Sequence, residues 1–235
     1  MTRTNDVNWH ERSSRRFFDR WSRNYEAKRI SPWFRHTQQL AIDALDLRPD
    51  STVLDVGCGT GYAVRRLAAL LPQGRACGID ISLGMIEKSK ELTQAHSQAN
   101  IEFRVGSSSQ IPYSDRSFTH LICTNSFHHY AEPLLALTEM HRVLVPGGQL
   151  ALMENATDLS LYARLWDRLL RWFEDGHVRY YTSTELGDML EAAGFVSRNL
   201  RVLRNEFLKH GKLFASIQVW RASKPVRNGP QSGLF

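Results

Sequence analysis

The chain has 235 residues, of which 42% are hydrophobic, with three cysteines and a formal net charge of +6. A fold of this size buries about 70% of the surface its unfolded chain exposes, so one α/β domain with added elements is predicted. No run approaches the roughly 20 apolar residues of a membrane-spanning helix, and MTRTNDVNWHERSSRR lacks the apolar stretch of a signal peptide, so a cytoplasmic protein is expected.

The charge is unevenly distributed. Residues 1–35 carry nine Lys/Arg against four Asp/Glu, residues 36–150 nine against eleven, and residues 151–235 twelve against nine. Basic flanks of this kind can draw an acidic substrate, an anionic membrane surface or RNA, or simply keep the protein soluble. Cys58, Cys77 and Cys123 fall in or beside predicted strands with no CxxC spacing, so neither a metal site nor a disulfide framework is expected.

Residues 1–44 read as helical and precede the first strand. From Thr52 short apolar runs alternate with helical patterns, the mark of βα units and a mostly parallel sheet. The strands are TVLDV (52–56), ACGID (76–80), IEFRV (101–105), FTHLICTN (118–125) and QLALME (149–154). Between the first two, Val64, Leu67, Ala68 and Leu71 recur at helical spacing until Pro72 and Gly74. Ser82 can cap the helix after the second strand. Pro133 opens a helix through His141, and Pro146-Gly147-Gly148 reads as a turn into the fifth strand.

After Glu154 the rhythm changes. DLSLYARLWDRLLRWFEDG (158–176) forms one amphipathic helix, and TSTELGDMLEAAGF a capped helix ending at Gly194. Two β-prone runs near 199–207 and 213–220 predict a closing antiparallel pair with a turn near His210-Gly211. The tail from Lys224 is rich in Pro, Gly and Ser and is expected to be disordered. The organisation read from this is a helical lid (1–44), a main domain (45–223) with an inserted helix at about 158–177, and a tail (224–235).

The strongest motif is Asp55-Val56-Gly57-Cys58-Gly59-Thr60-Gly61, directly after a strand and before a helix. Glycines there permit a tight turn and let backbone approach a ligand. A dinucleotide loop, GxGxxG, would need glycine where Tyr62 stands. The Asp55 carboxylate would repel a pyrophosphate but suits a ligand carrying an ammonium and a sulfonium. Asp80 ends the second strand 19 residues beyond Gly61, where a carboxylate can accept from both hydroxyls of an adenosine ribose or else cap a helix.

VLDVGCGTGYAVRRLAALLPQG, GIDISLGMIEKSKE, IPYSDRSF and MHRVLVPGGQLALME, in this order, resemble the class I S-adenosylmethionine-dependent methyltransferases, in particular the ubiquinone and menaquinone C-methyltransferase group. The likeness runs from about Phe17 to Val196. It implies a Rossmann-like, seven-stranded, mostly parallel sheet in the order 3-2-1-4-5-7-6, strand seven antiparallel, with helices on both faces and an inserted lid helix. It implies S-adenosylmethionine as cofactor, with Asp55, Gly57, Cys58, Gly59 and Gly61 around its methionine portion, Asp80 at the ribose, and Ile81 and Met85 near the adenine. The family often has GDA after strand three, whose aspartate accepts from the adenine amino group; here the run is Gly106-Ser107-Ser108, and Ser107 and Ser108 take that place. Thr119 likewise stands where an aspartate is common.

Methyl transfer from a sulfonium is an in-line displacement that depends mainly on positioning, with a base only where the acceptor must lose a proton. Strand four ends at Asn125-Ser126-Phe127-His128-His129-Tyr130 and strand five at Glu154-Asn155, the edge where ligands meet open α/β sheets. Asn125 is a candidate cofactor contact, and His128 and His129 are candidate bases, or else loop residues. This segment is not the Asn/Asp-Pro-Pro-Tyr/Phe motif of enzymes that methylate DNA bases or glutamine. FFDRWSRNYEAKRI resembles the helix that closes the pocket in the quinone-type enzymes, which makes Tyr25 a candidate at the acceptor. The expected function is methyl transfer to a small, hydrophobic or quinone- or polyketide-like acceptor, with weak peripheral contact to an anionic membrane through Arg164, Arg168 and Arg171. An RNA methyltransferase and a catalytically silent S-adenosylmethionine-binding protein remain as alternatives, although no appended RNA module or aromatic-basic RNA motif is present.

Overall fold

In the computed structural model the described residues are 2–22, 31–94, 99–158, 161–173, 176–204 and 216–226. Two helices, α1 (Thr2–Trp21) and α2 (Ser31–Asp43), precede β1 (Thr52–Val56), α3 (Tyr62–Leu70), β2 (Arg75–Asp80), α4 (Leu83–Gln94) and β3 (Ile101–Val105). There follow β4 (Phe118–Thr124), a short 3-10 turn at Phe127–His129, α5 (Pro133–Val143), β5 (Leu144–Asn155), α6 (Leu161–Phe173), α7 (Ser183–Ala192), β6 (Val196–Arg204) and β7 (Ser216–Ser223). The strands form one seven-stranded sheet in the order β3-β2-β1-β4-β5-β7-β6. Pairings are parallel from β3 through β5, while β7 is antiparallel to both β5 and β6.

The strands read as continuous apolar runs because alternate residues fill two cores. Leu54, Val56, Leu121, Cys123, Leu152 and Trp220 pack with Leu137, Met140, Leu186 and Leu190 of α5 and α7. Val53, Ala76, Ile122, Ala151, Met153 and Val219 pack on the opposite face with Trp33 and Ile42 of α2 and Val64 and Leu67 of α3. Helix ends follow their local chemistry. Ser82 Oγ accepts from Met85 N at 3.1 Å at the start of α4, and Thr182 with Glu185 forms a reciprocal capping box on α7.

Three sequence expectations shift. Pro146-Gly147-Gly148 does not separate helix from strand: β5 already begins at Leu144, and the glycines exchange backbone hydrogen bonds with Lys224 (Gly147 N to Lys224 O and Lys224 N to Gly148 O, both 2.9 Å). The antiparallel pair lies at Val196–Arg204 and Ser216–Ser223, offset by three residues from the β-prone runs. Lys224, expected to begin a disordered tail, is instead held in place, its Nζ donating to His141 O and Leu144 O, both at 2.7 Å; the turn expected at His210-Gly211 and the residues beyond 226 lie outside the described residues. Thr119 has a structural use, since its Oγ1 accepts from Thr52 N (2.9 Å) and donates to Thr52 O (3.0 Å), pinning β4 to β1.

Helix α1 crosses the carboxyl edge of the sheet. Its Asp19 carboxylate accepts from Ser82 Oγ (2.5 Å) and Gly84 N (3.1 Å) at the N-terminus of α4, where the helix dipole favours an anion. The order in which strands are added reverses between β1 and β4, and the cleft outside this switch point is where open α/β sheets bind ligands.

Candidate active site

A cavity of about 640 Å³ occupies that cleft, within the size range of small-ligand sites. One end is the glycine loop. Gly57, Gly59 and Gly61 all have positive φ (79°, 52° and 77°), a conformation that side chains other than glycine strain to adopt. A Cβ on Gly57 would meet Ser126 Oγ at 2.5 Å, and one on Gly61 would meet the Phe103 ring at 2.5 Å. Gly57 N and Cys58 N both donate to Ile79 O at 2.9 Å. The loop is thereby held open beside β2.

Asp80 closes that side. Its Oδ2 accepts from Gly59 N and its Oδ1 from Ser82 N, each at 2.9 Å, so it ties the loop and supports the start of α4 while remaining on the cavity wall. Each oxygen keeps a second lone pair for a ligand hydroxyl. Burial, opposed by these two amides, pushes its pKa up to about 6. Asp55, fully enclosed, is pushed up to about 8 by burial and then by Asp80. Neither Asp55 oxygen has a hydrogen-bond partner.

Of the expected cofactor contacts, Gly57, Cys58, Gly59, Asp80, Ile81, Met85, Ser107, Ser108 and Asn125 line the cavity. Asp55 and Gly61 do not. Asp55 points into the interior from β1, and Gly61 packs against Phe103 and Ser89 at the start of α3. Asn125, non-glycine yet at φ 52°, is fixed by donating from Nδ2 to Thr37 Oγ1 at 2.8 Å. The buried Asp55 carboxylate without a hydrogen-bond partner, a loop only glycine can form and the Asp80 carboxylate at the second strand's end together fit a cationic nucleoside such as S-adenosylmethionine.

At the other end are the histidines, both on the cavity wall. His128 is 5% exposed; its Nδ1 lies 2.7 Å from Glu154 Oε2, and its backbone N–H donates to the same oxygen at 3.2 Å. Asn155 N donates to Glu154 Oε1 at 2.8 Å. These amides favour an ionised Glu154, although burial pushes it up to about 7. Burial holds His128 and His129 well below the usual histidine range, so both are neutral at neutral pH. His129 Nδ1 contacts Gly176 O at 3.1 Å, and its ring meets Phe18 of α1 edge-on at 4.9 Å. His128 is therefore enclosed and His129 half-buried against Phe18 and Gly176. His177, bound to Asp167 of α6 at 2.9 Å, stacks 5.2 Å from His128. Tyr25 lies outside the described residues.

The remaining wall is aromatic: Phe17, Phe18 and Trp21 from α1, and Trp33 and Phe34 from α2, with Ala163 and Leu170 from the inner side of α6. Sequence reasoning did not single out Glu154 or Glu11 as site residues, nor the Asp167–His177 pair. Glu11 carries a signal in hindsight, being an acid in register with Ser14 and Phe18 on the inner face of α1.

The methyltransferase-domain family matches residues 53–148, which include the glycine loop, Asp80, Ser107 and both histidines. The chain has a class I, S-adenosylmethionine-dependent methyltransferase domain. It is 32% identical over 167 residues to an uncharacterized 37.1 kDa protein in a transposon of Streptomyces fradiae, covering 71% of this chain but only 45% of that protein. It is 28% identical over 177 residues to the demethylmenaquinone methyltransferase of Staphylococcus aureus, covering 67% of this chain and 73% of that one. The YcgJ protein of Bacillus subtilis shares the fold, with 18% identity, a TM-score of 0.69, and coverage of 83% of this chain and 99% of that one.

Proposed function

We propose that this protein methylates a small, largely apolar acceptor, with His128 as the base that takes the acceptor's proton and Glu154 as the residue that orients it. The observation that carries this reading is the continuity of one cavity from the glycine loop to the buried His128–Glu154 pair beneath an aromatic roof. S-adenosylmethionine, when bound, supplies an electrophilic methyl group on a sulfonium. Glu154, ionised, accepts the Nδ1–H of neutral His128, which leaves Nε2 with the lone pair that a base requires. On taking a proton the imidazolium lies against the carboxylate and is stabilised there. Phe17, Phe18, Trp21 and Phe34 exclude water and favour an acceptor with apolar surface. The likeness to a demethylmenaquinone methyltransferase supports hydroquinones and phenols as the first acceptors to try.

The partner we assign to the same site is an anionic bilayer surface. The outer face of α6 exposes Trp172 (83%), Leu161 (71%), Leu165 (58%) and Leu169 (45%), flanked by exposed Arg164, Arg168 and Arg171. The inner face of α6 is formed instead by Ala163, Asp167 and Leu170. A helix with apolar residues outward and arginines alongside suits a negatively charged interface in which an apolar acceptor dissolves. Among the described residues no helix is long and apolar enough to cross a membrane.

Purified protein with methyl-labelled S-adenosylmethionine and a panel of hydroquinones, phenols and small polar amines tests the reaction. Transfer to the apolar hydroxyl acceptors is expected. Transfer to the amines alone would overturn the acceptor class, and cofactor binding without transfer to any candidate would favour a silent binding protein.

A further inference from the structure

The wall of the cavity beyond Asp80 is completed from outside the sheet. The carboxyl ends of β1, β2 and β3 stand in a row, and the wall follows them from Gly57–Gly59 to Asp80 and then to Gly106–Ser109. A nucleoside held at the glycine loop, with its ribose hydroxyls on Asp80, has its base further along this row, over the end of β3. At that point Glu11 of α1 reaches the wall. Its Oε1 accepts from Ser107 Oγ at 2.7 Å and from Ser109 Oγ at 2.9 Å, while the two serine oxygens lie 2.7 Å apart.

The hydrogen inventory decides what this corner can bind. Each serine hydroxyl has one proton to give, and a carboxylate only accepts. The hydroxyl protons of Ser107 and Ser109 are used among the three side chains, so Glu11 presents lone pairs to the cavity, while Ser108 brings a hydroxyl of its own to the same wall. Among the described residues no hydrogen bond reaches Glu11 Oε2. A group placed against the Glu11 carboxylate must donate.

We propose that Glu11 is the specificity residue for the base of the cofactor, accepting from the exocyclic amino group of adenine and rejecting a base that carries a carbonyl at that position. This rests on the S-adenosylmethionine assignment. Because Glu11 belongs to α1, which Asp19 anchors on α4, the adenosine end is fully recognised only with α1 in place. The helix that roofs the acceptor space therefore also senses the cofactor's base.

Calorimetry with S-adenosylhomocysteine and S-inosylhomocysteine, whose base has a carbonyl in place of the amino group, tests this without turnover. The wild-type protein should prefer the adenosyl compound by about tenfold or more, the range expected for a hydrogen bond to a charged group. In Glu11→Gln, whose amide can donate as well as accept, the preference should fall to within about threefold, with an unchanged thermal melt of the free protein. Ser109→Ala, which frees no new donor and leaves the carboxylate in place, should keep the preference. Full discrimination retained in Glu11→Gln would overturn the assignment to Glu11. Wild-type protein that binds neither compound would overturn the cofactor reading itself, and this proposal with it.

Discussion

His128 and Glu154 meet across 26 residues of chain, Nδ1 to Oε2 at 2.7 Å, with the carboxylate wholly enclosed. The same oxygen accepts the backbone N–H of His128, so one carboxylate fixes the imidazole's position and, where ionised, selects the tautomer protonated at Nδ1. His128→Ala should lower turnover by roughly 10² to 10⁴ with cofactor affinity nearly unchanged, the usual range for loss of a general base. Glu154→Gln should cost less but alter the pH profile. An ionised Glu154 stabilises the imidazolium and so raises the pKa of His128; its removal should lower the plateau rate and move the rising limb to lower pH. Equal losses at every pH in Glu154→Gln would mean that Glu154 only supports the fold.

Cofactor binding should release protons. Asp55 and Asp80 titrate near 8 and near 6 in the free protein, raised chiefly by burial. A cationic ligand favours the ionised carboxylates and lowers both values. Affinity should then increase as pH rises, up to about 8 through Asp55 and up to about 6 through Asp80, by at most one decade per pH unit for each proton linked. Calorimetry at pH 7 in buffers of different ionisation enthalpy measures the release directly. Equal affinity at pH 6 and pH 8 with no proton exchange would refute the linkage.

Gly57→Ala should combine backbone strain with a clash, because φ is 79° and the new Cβ would lie 2.5 Å from Ser126 Oγ. The left-handed conformation alone costs about 1–2 kcal/mol. Displacing Ser126 also disturbs its hydrogen bond to Val56 O. Gly147→Ala shares φ 79° but meets only Val226 at 3.3 Å. Both variants should melt lower, by about 2–4 °C per kcal/mol for a chain of this size, and only Gly57→Ala should lose cofactor affinity. Comparable affinity in the two variants would show that the loop does not form the cofactor's cradle.

What the sequence made legible follows from the range of the interactions. Strands buried on both faces appear as apolar runs such as TVLDV and FTHLICTN, and the glycine loop announces itself because nothing else fits its φ values. Pro146-Gly147-Gly148 looks like a turn because its strand partner is Lys224, far along the chain. Glu11 gave no local sign, since its partners Ser107 and Ser109 are 96 and 98 residues away. Helix α6 was ambiguous for another reason: large apolar residues outnumber what its inner face needs, so periodicity alone could not say which side faced the protein.

Trp172, Leu161 and Leu165 project from the centre of the exposed face of α6, and Arg164, Arg168 and Arg171 lie along one side of it. On α1, exposed Arg12 and Arg16 add positive charge. Attachment to a bilayer should therefore have an electrostatic part, worth about 1 kcal/mol per arginine near an anionic surface, and a smaller apolar part from the shallow insertion of Trp172 and the leucines. Screening shortens from about 30 Å at 0.01 M to about 8 Å at 0.15 M ionic strength, so the first part should fade with salt and the second should not. Co-sedimentation with phosphatidylglycerol-containing vesicles should be strong at low salt and weak at physiological salt, with little binding to phosphatidylcholine alone. Arg168→Glu should weaken attachment at low salt, and Trp172→Ala should remove most of what survives at higher salt. Binding to neither vesicle at low salt would exclude the bilayer, and concentration-dependent self-association abolished by Trp172→Ala would assign the same face to a second copy of the chain. If the bilayer is the partner, adding anionic vesicles to the assay should lower the apparent KM for an apolar acceptor more than for a water-soluble analogue, because α6 then places the cavity at the surface where that acceptor is concentrated.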